Sequence, residues 1–327
     1  MRSMMTNIAA GMLIAACAAS GFDPAWAQYP ERPVKLIVPY PAGGGADVIT
    51  RQYGMLLEKK LGQPVIVENV AGAAGALGAQ RVANATADGY TLLIGGNAEL
   101  LIRTLLQPGS YDPFRDFTAI SLIGAGPMVV LGRPTLPAST LADVIGLARS
   151  KPSTLSFGSG AQGTPMHLIG EAIKSKAGVD IRFIPYRGAP PTLADLISGH
   201  IDLGIVTLAA ALPLIASGKV RPYAVSSPQR VEFAPSIPAL SETRELAGFS
   251  LDFWAGLFGP ANLPPAIRDR LATLTAEVLR DPALKARLAE HAFAVRELSG
   301  DAFNAFIVAD NEKTKKIIED GNITLPR

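Results

Sequence analysis

The sequence predicts an α/β protein in which one domain is inserted into another. Short apolar segments bounded by proline or glycine alternate with segments whose apolar residues have a helical spacing. This pattern is typical of parallel sheets with crossover helices. The alternation runs twice along the chain. After residue 258 the pattern is helical and contains too few strands for a domain, so we expect this tail to return to the first sheet.

The first domain begins with predicted strands at residues 34–38, 64–68 and 90–94. The first of them, Val34-Lys35-Leu36-Ile37-Val38, is short, apolar and bounded by prolines, which is typical of a buried strand. Predicted helices follow the first two strands, one beginning near Asp47 and the other ending near Ala85.

The second domain has predicted strands at residues 128–131, 155–157, 181–184, 201–206 and 220–225, and helices at 141–150, from 165 to about 176, and ending near 197. A strand at 253–258 precedes tail helices at 265–279, 282–291 and 301 to about 319. We therefore expect residues 28–125 and 253–327 to form a discontinuous first lobe. Residues 126–252 would form the inserted second lobe.

The first 27 residues have the parts of a cleavable signal peptide. Arg2 precedes an apolar stretch at residues 8–19, and Ala25-Trp26-Ala27 provides an A-x-A cleavage site. The stretch is shorter than the roughly 20 apolar residues of a membrane-spanning helix. Ile14-Ala15-Ala16-Cys17 also resembles a lipoprotein cleavage box, which would leave a lipid anchor at Cys17. We favour cleavage after Ala27 and a periplasmic protein, because that site lies directly before the first strand.

Composition excludes several classes of site. The mature chain, 327 − 27 = 300 residues, is long enough for two ordinary domains and has no cysteine, because Cys17 is the only one. A net charge of +2 without a long basic run argues against nucleic acid as the main partner. The histidines His167, His200 and His291 have no metal-ligand spacing, so we expect neither a metal nor a cofactor.

Two glycine-rich loops follow predicted strands and lead into helices. Ligands bind outside the carboxyl ends of strands in open α/β sheets, and backbone N–H groups at a helix start favour an anion. The first loop, Pro41-Ala42-Gly43-Gly44-Gly45, leads to Asp47, which we interpret as the N-cap in preference to a ligand contact. The second, residues 158–165, ends in the favourable N-cap Thr164 before Pro165 and adds donors from Ser159 and Gln162.

A dinucleotide-binding interpretation of the second loop is disfavoured. Gly158, Gly160 and Gly163 match the pattern G-x-G-x-x-G. That pattern also requires an acidic residue at the end of the next strand, and here this strand ends Ile184-Pro185-Tyr186.

Three other side chains have both a structural and a functional interpretation. Arg187 follows a strand and either pairs with a carboxylate or is a solvated turn residue, and both interpretations stay open. We interpret His167 as structural, because nothing in the sequence places a carboxylate or nucleophile beside it. Trp254 fits a hinge or core position. Without a Ser/His/Asp set, a P-loop or paired catalytic acids, the two anion-binding helix starts indicate a clamp that binds and releases.

Motifs spread over the whole mature chain resemble a known family. They include Tyr29-Pro30, Arg32-Pro33-Val34, Leu61-Gly62-Gln63-Pro64-Val65, Asp88-Gly89-Tyr90-Thr91-Leu92-Leu93, Tyr111-Asp112-Pro113 and Pro185-Tyr186 with Gly188. In this order they resemble the Bug family, the extracytoplasmic receptors of tripartite tricarboxylate transporters.

The resemblance implies an α/β, type II periplasmic-binding-protein-like fold. Each of its two lobes would have a central mainly parallel sheet flanked by helices, with the ligand cleft between the lobes. The implied partners of this monomer are a small organic carboxylate and the membrane subunits of the transporter. The expected ligand-binding residues are Tyr40, Ala42, Gly43, Gly44, Gly45, Asp47, Ser159, Gly160, Ala161, Gln162, Gly163, Thr164, His167, Arg187 and Thr207.

The chain departs from the family's pattern at two positions. The family often has Phe-Asp-Asn where Ile205-Val206-Thr207 stands, which implies a ligand without an amino group. It often has Ala-Ile-Asn where Asn97-Ala98-Glu99-Leu100 stands, which implies a different far end of the pocket. Two alternatives to a transport receptor stay open: a sensor subunit that presents its closed form to a membrane receptor, and an enzyme on the same scaffold.

Overall fold

The computed structural model of the protein describes residues 29–324. The predicted signal peptide, with Cys17 and both of its predicted cleavage sites, lies outside the described residues. In chain order the strands are β1 (Val34–Val38), β2 (Val65–Asn69), β3 (Thr91–Gly96), β4 (Phe117–Gly126), β5 (Met128–Gly132), β6 (Ser156–Ser159), β7 (Arg182–Pro185), β8 (Leu203–Thr207), β9 (Arg221–Val225), β10 (Phe253–Pro260) and β11 (Ala294–Ser299).

The α-helices lie mainly between these strands. They are α1 (Gly45–Leu61), α2 (Ala76–Ala83), α3 (Arg103–Leu106), α4 (Leu141–Ser150), α5 (Pro165–Ala177), α6 (Ala189–Ser198), α7 (Leu208–Ala216), α8 (Pro265–Leu279), α9 (Pro282–Glu290) and α10 (Gly300–Asp320). Short 3-10 turns occur at Ala73–Gly75, Leu240–Glu242 and Arg244–Leu246, and a π-helix at Ala98–Ile102 leads directly into α3.

The strands form two sheets, one in each lobe. The first has the order β11-β4-β10-β3-β1-β2 and the second the order β7-β6-β8-β5-β9. The chain passes from the first sheet to the second between β4 and β5, which Pro127 alone separates, and returns before β10. β1 illustrates why these segments become central strands: Val34, Leu36, Ile37 and Val38 are fully buried, and only Lys35 reaches solvent.

The sheets are mixed, so the expectation of mainly parallel sheets is wrong. β1 pairs in parallel with β2 and β3, and β6 with β7 and β8. β10 is antiparallel to β3 and β4, β11 to β4, and β5 to β8 and β9. The reason is the crossing between lobes. The chain leaves the first lobe along β4 and returns along β10 without a crossover helix, so these neighbours run in opposite directions.

The expectation that the tail is entirely helical is also wrong. Residues Ala294–Ser299 form β11, which pairs only with β4 in the described sheet. Its side chains are half-buried or exposed, because a strand at the edge of a sheet has a neighbouring strand on one side only. Such a strand lacks the continuous apolar run by which the central strands are recognised.

Helix α10 contacts both lobes. Its first half places Phe303 and Ile307 against Trp254 and Phe258 of the first lobe. Its last turn places Ile317 among core residues of the second lobe, and Ile323 follows there. The tail therefore packs on the first sheet, as expected, and its end also packs against α5, which the sequence does not predict.

Candidate functional site

Both glycine-rich loops lie at sheet edges that adjoin the crossing between the lobes. In the first lobe Gly96, at the end of β3, pairs with Ala255, close to the point where the chain returns. Because β1 is parallel to β3, the loop after β1 lies at the same edge. In the second lobe Thr207, at the end of β8, pairs with Met128, where the chain enters, and β6 is parallel to β8. The two loops therefore face the junction from opposite lobes.

The first loop presents backbone to solvent. Residues Ala42, Gly43, Gly44 and Gly45 are exposed, and Gly43 has φ +78°, a left-handed conformation that favours glycine. Gly44 is the N-cap of α1 and offers no side-chain cap, so the first-turn N–H groups stay available to another acceptor. A helix start of this kind favours an anion.

Asp47 supports this loop from beneath, which corrects its interpretation as the N-cap. Its side chain is buried. One carboxylate oxygen accepts from the Gly43 N–H at 2.8 Å and from Arg51 Nε at 3.0 Å, and the other accepts from Asn69 Nδ2 at 3.0 Å. Burial raises the pKa of Asp47, but the bonds from Arg51, Gly43 and Asn69 outweigh it, so the pKa lies below its usual range. An ionised Asp47 therefore holds the loop in shape.

Tyr40, the residue before this loop, contacts a carboxylate that the sequence-based site does not include. Its half-buried side chain donates a hydrogen bond from Oη to Glu99 Oε2 at 2.6 Å. The Tyr40 carbonyl accepts from Asn69 Nδ2 at 3.1 Å. Glu99 lies 59 residues away in sequence, and the one signal that points to it is the departure from the family's pattern at residues 97–100.

The second loop leads into α5 as predicted. Thr164 is confirmed as the N-cap, with its hydroxyl accepting from the His167 N–H at 3.4 Å, and Pro165 follows as the first helical residue. Ser159 is buried, Gly160, Gly163 and Thr164 are half-buried, and Ala161 is exposed.

The Gln162 side chain forms its hydrogen bond with a residue outside the second loop. Its Nε2 donates to the Thr324 carbonyl at 2.7 Å, so this side chain ties the loop to the end of the chain. Direct contact with a ligand stays a prediction for all of these residues.

His167 is buried and acts as an acceptor. Its Nδ1 accepts from the Gly163 N–H at 3.3 Å, and its ring lies 4.4 Å from that of Phe183. Burial, with a smaller contribution from Lys174, lowers the pKa of His167 to about 4, so the ring is neutral near pH 7. The expectation that no carboxylate lies beside it is wrong, because Glu171 Oε1 is 3.7 Å from Nε2, one helical turn further on. Its structural interpretation gains support from the bond to Gly163.

Of the remaining candidates, Arg187 and Thr207 lie nearer the surface, and Trp254 lies in the core. Arg187 is exposed, two residues after β7. Thr207 is half-buried at the end of β8, beside the start of α7. Val206 is buried in the second lobe, so the position before Thr207 is a core position. Trp254 is buried as predicted, and its Nε1 donates to Asp310 Oδ2 at 2.8 Å.

Between residues 29 and 324, no three or more potential metal-ligating side chains come together. Over the same residues no helix has the length and apolar character needed to cross a bilayer. A cavity of about 610 Å³ lies where β4 begins and β10 ends, lined among others by Phe117, Phe258 and Arg268. This is the edge of the first sheet opposite the two loops, so the loops and the cavity are separate features.

Comparison with known proteins identifies close relatives. The model of the family described as tripartite tricarboxylate transporter family receptor matches residues 49–323. Protein BugT of Bordetella pertussis is 32% identical over 294 residues, which is 89% of this chain and 86% of BugT. A protein of Agrobacterium vitis, from the TAR-I ttuE-ttuC' intergenic region, is 35% identical over 262 residues, 80% of this chain and 75% of that protein.

Solved structures give the same result. A protein of R. palustris with adipate has a TM-score of 0.80 and 30% identity, and the match covers 90% of this chain and 99% of that one. MatC of Rhodopseudomonas palustris with bound malate has a TM-score of 0.78 and 27% identity, over 89% and 100% of the two chains. The periplasmic binding protein BugD has a TM-score of 0.78 and 29% identity, over 90% and 99%.

Proposed function

The chain belongs to the family of tripartite tricarboxylate transporter receptors, and from this premise we propose what it binds and where. It captures a small organic carboxylate between its two lobes in the periplasm and delivers it to the membrane subunits of a tripartite tricarboxylate-type transporter. As a member of a receptor family it is a binding protein and not an enzyme.

The observation that carries this proposal is the pair of loops at the junction of the lobes. α1 and α5 both begin at the sheet edges that adjoin the crossing, and each follows a glycine-rich loop. A carboxylate between the two helix starts would accept hydrogen bonds from backbone N–H groups of both lobes and would be stabilised by both dipoles. A bridging ligand binds the closed arrangement better than the open one, and that difference in affinity is what closes the clamp.

The ligands of related proteins support the chemical class. One structural neighbour is described with adipate and another with malate, and both compounds are carboxylates. For the present chain the buried Asp47 beneath the first loop argues for the same class. By accepting from the Gly43 N–H it holds the exposed backbone of residues 42–45 in a fixed shape, and no side chain caps the first turn of α1.

Thermal unfolding of residues 28–327 against a panel of mono-, di- and tricarboxylates tests the proposal. A ligand at a hundred times its dissociation constant stabilises the folded state by about 2.7 kcal/mol. For a chain of this size that corresponds to a rise in Tm of about 5 °C. The matched controls are the neutral amides of the same acids, which lack the anionic group and should leave the Tm unchanged. A panel in which no carboxylate raises the Tm would contradict the proposal.

Delivery and location require a cellular measurement. Deletion of the gene should abolish uptake of the bound carboxylate, and the full-length chain should restore it. A chain that begins at residue 28 stays in the cytoplasm and should not restore uptake. Restoration by that shortened chain would contradict a periplasmic role.

A further inference from the structure

Glu99 occupies an unusual position in the first lobe. It lies in the π-helix Ala98–Ile102 directly after β3, and π-helical turns are rare and frequent at functional sites. Its side chain is 1% exposed. Oε2 accepts from Tyr40 Oη at 2.6 Å, and Oε1 accepts from the Gly96 N–H. Its carbonyl accepts from Tyr111 Oη at 2.6 Å, so backbone and side chain are both held in place.

The segments that follow β1, β2 and β3 meet at Glu99, at the edge of the first sheet that adjoins the crossing between the lobes. Tyr40 comes from the loop after β1. Gly75, after β2, approaches so closely that a Cβ on it would lie 2.8 Å from the Glu99 Cβ. Asn97, after β3, donates from Nδ2 to the Asp252 carbonyl at 2.8 Å, immediately before the chain returns along β10. Glu99 is therefore connected through Tyr40 to the start of the first glycine-rich loop, and through the nearby Asn97 to the junction of the lobes.

The groups around Glu99 leave its charge uncompensated. Tyr40 and Tyr111 are the titratable side chains bonded to it, and Arg103 follows on the same helical segment. On α10, which packs against the π-helix, Asp310 and Lys313 pair with each other at 2.7 Å. None of the ion pairs within residues 29–324 includes Glu99. Burial raises the pKa of Glu99 to about 7, although the bonds from Tyr40 and Gly96 lower it.

The bond between Tyr40 and Glu99 limits what Tyr40 offers a ligand. A tyrosine hydroxyl has one proton, and here that proton points to Glu99. The hydroxyl oxygen therefore has only lone pairs left for a further partner. A ligand hydroxyl satisfies this acceptor, whereas an ionised carboxylate has no proton to donate and is repelled by the charge behind Tyr40.

Resting on the proposed function, we propose that the Tyr40–Glu99 pair determines which carboxylates the protein accepts. It accepts a hydrogen bond from a donor on the far end of the ligand, a hydroxyl group above all, and rejects a second ionised carboxylate there. The ligand class is accordingly a hydroxylated monocarboxylate and not a dicarboxylate.

Calorimetric titration with matched ligand pairs tests this inference. Each pair has the same carbon chain and differs only at the far end, such as 4-hydroxybutyrate against succinate, with pairs of three to six carbons. The wild-type chain of residues 28–327 should bind the hydroxy acid at least tenfold more tightly near pH 8. Glu99→Gln removes the charge and lets the amide donate to Tyr40, whose proton then turns to the ligand, so the preference should shift at least tenfold toward the dicarboxylate.

pH provides a second readout that a merely structural role would not change. Below its pKa, Glu99 is neutral and can donate its own proton to Tyr40, so wild-type affinity for the dicarboxylate should rise from about pH 8 to about pH 6. This rise should be absent in Glu99→Gln. Tyr40→Phe removes the hydroxyl that accepts from the ligand, so affinity for the hydroxy acid should fall at least tenfold, and this readout remains if Glu99→Gln fails to fold. Glu290→Gln, at an exposed carboxylate at the end of α9, is the matched control and should behave as wild type.

The outcomes separate the two proposals. If the wild-type chain binds dicarboxylates as well as hydroxy acids, and neither Glu99→Gln nor Tyr40→Phe changes the ratio, the inference is overturned while the proposed function stands. If no carboxylate binds to any of the variants at either pH, the proposed function fails and the inference fails with it.

Discussion

The pH dependence of stability through His167 is the prediction that the structure defines most sharply. His167 is 3% exposed, accepts a hydrogen bond from the Gly163 N–H and packs against Phe183. Protonation of Nδ1 would remove that acceptor and place a charge on a buried ring near Lys174, and the Glu171 carboxylate 3.7 Å from Nε2 does not outweigh this cost. The perturbation is His167→Asn, since the asparagine Oδ1 can occupy the position of Nδ1 and accept the same bond without titrating.

The magnitude follows from linkage between protonation and folding. The pKa of His167 is lowered from 6.5 to about 4 in the folded protein. Above pH 6.5 the ring is neutral in both the folded and the unfolded protein, and its contribution to the free energy of unfolding is fully present. As the pH falls toward 4 the unfolded chain binds the proton first, so this contribution is lost. At about 1.4 kcal/mol per pKa unit, wild type should lose about 3 kcal/mol between these limits, relative to the variant.

Denaturant unfolding at a series of pH values from about 7 to about 4 measures this difference. The difference between wild type and His167→Asn cancels every other titrating group. One of these groups, Glu99, acts in the opposite sense, because its pKa is raised from 4.5 to about 7. Its contribution to the free energy of unfolding is fully present below pH 4.5 and is lost as the pH rises through 7. His200→Asn, an exposed histidine of the same lobe, is the matched control and should show no such trend.

Two results would refute the reasoning about His167. One is a difference in unfolding free energy between wild type and His167→Asn that stays constant across this pH range. The other is an NMR titration in which the His167 ring protonates near pH 6.5 in the folded protein. Either result would mean that burial does not hold the ring neutral.

Three further predictions concern the loops and the tail. Asp47→Ala should weaken carboxylate binding at least tenfold in calorimetry, because the Gly43 amide loses its acceptor; unchanged affinity would contradict its supporting role. Thr164→Ala should cost about 1 kcal/mol of stability as a lost N-cap and weaken binding by more than that; equal effects would mean that Thr164 is only a cap. Ile317→Ala should cost about 2–5 kcal/mol in denaturant unfolding, against less than about 0.5 kcal/mol for the exposed Val308→Ala, and equal costs would place Ile317 outside the core.

Local signals predicted much of the fold. The strand at Val34–Val38 and the helix at Leu141–Ser150 have the predicted bounds, because an apolar run between prolines and an amphipathic spacing are properties of consecutive residues. Thr164 and Pro165 define the start of α5 for the same reason. Strand directions could not be read in this way, since they depend on which strands become neighbours after the chain has crossed between lobes.

The candidate site was likewise only partly predictable from the sequence. The two glycine-rich loops could be located from sequence, because glycine runs between a strand and a helix are local. Asp47 was misinterpreted as the N-cap, because its partner Asn69 belongs to β2 and the cap position falls to Gly44. The bond from Gln162 to Thr324 could not be predicted either, because no pattern within the loop indicates a contact 162 residues away; contact of Gln162 with the ligand stays a prediction.

The sequence by itself determined the α/β class, the resemblance to a receptor family, and the two helix starts suited to an anion, since each depends on residues adjacent in the chain. Only the tertiary structure decided that the sheets are mixed, that α10 joins both lobes, and that Glu99 lies behind Tyr40. Burial and charge compensation are properties of the space around a side chain. Whether a glutamate is solvated or enclosed without a cation depends on segments that meet only after folding.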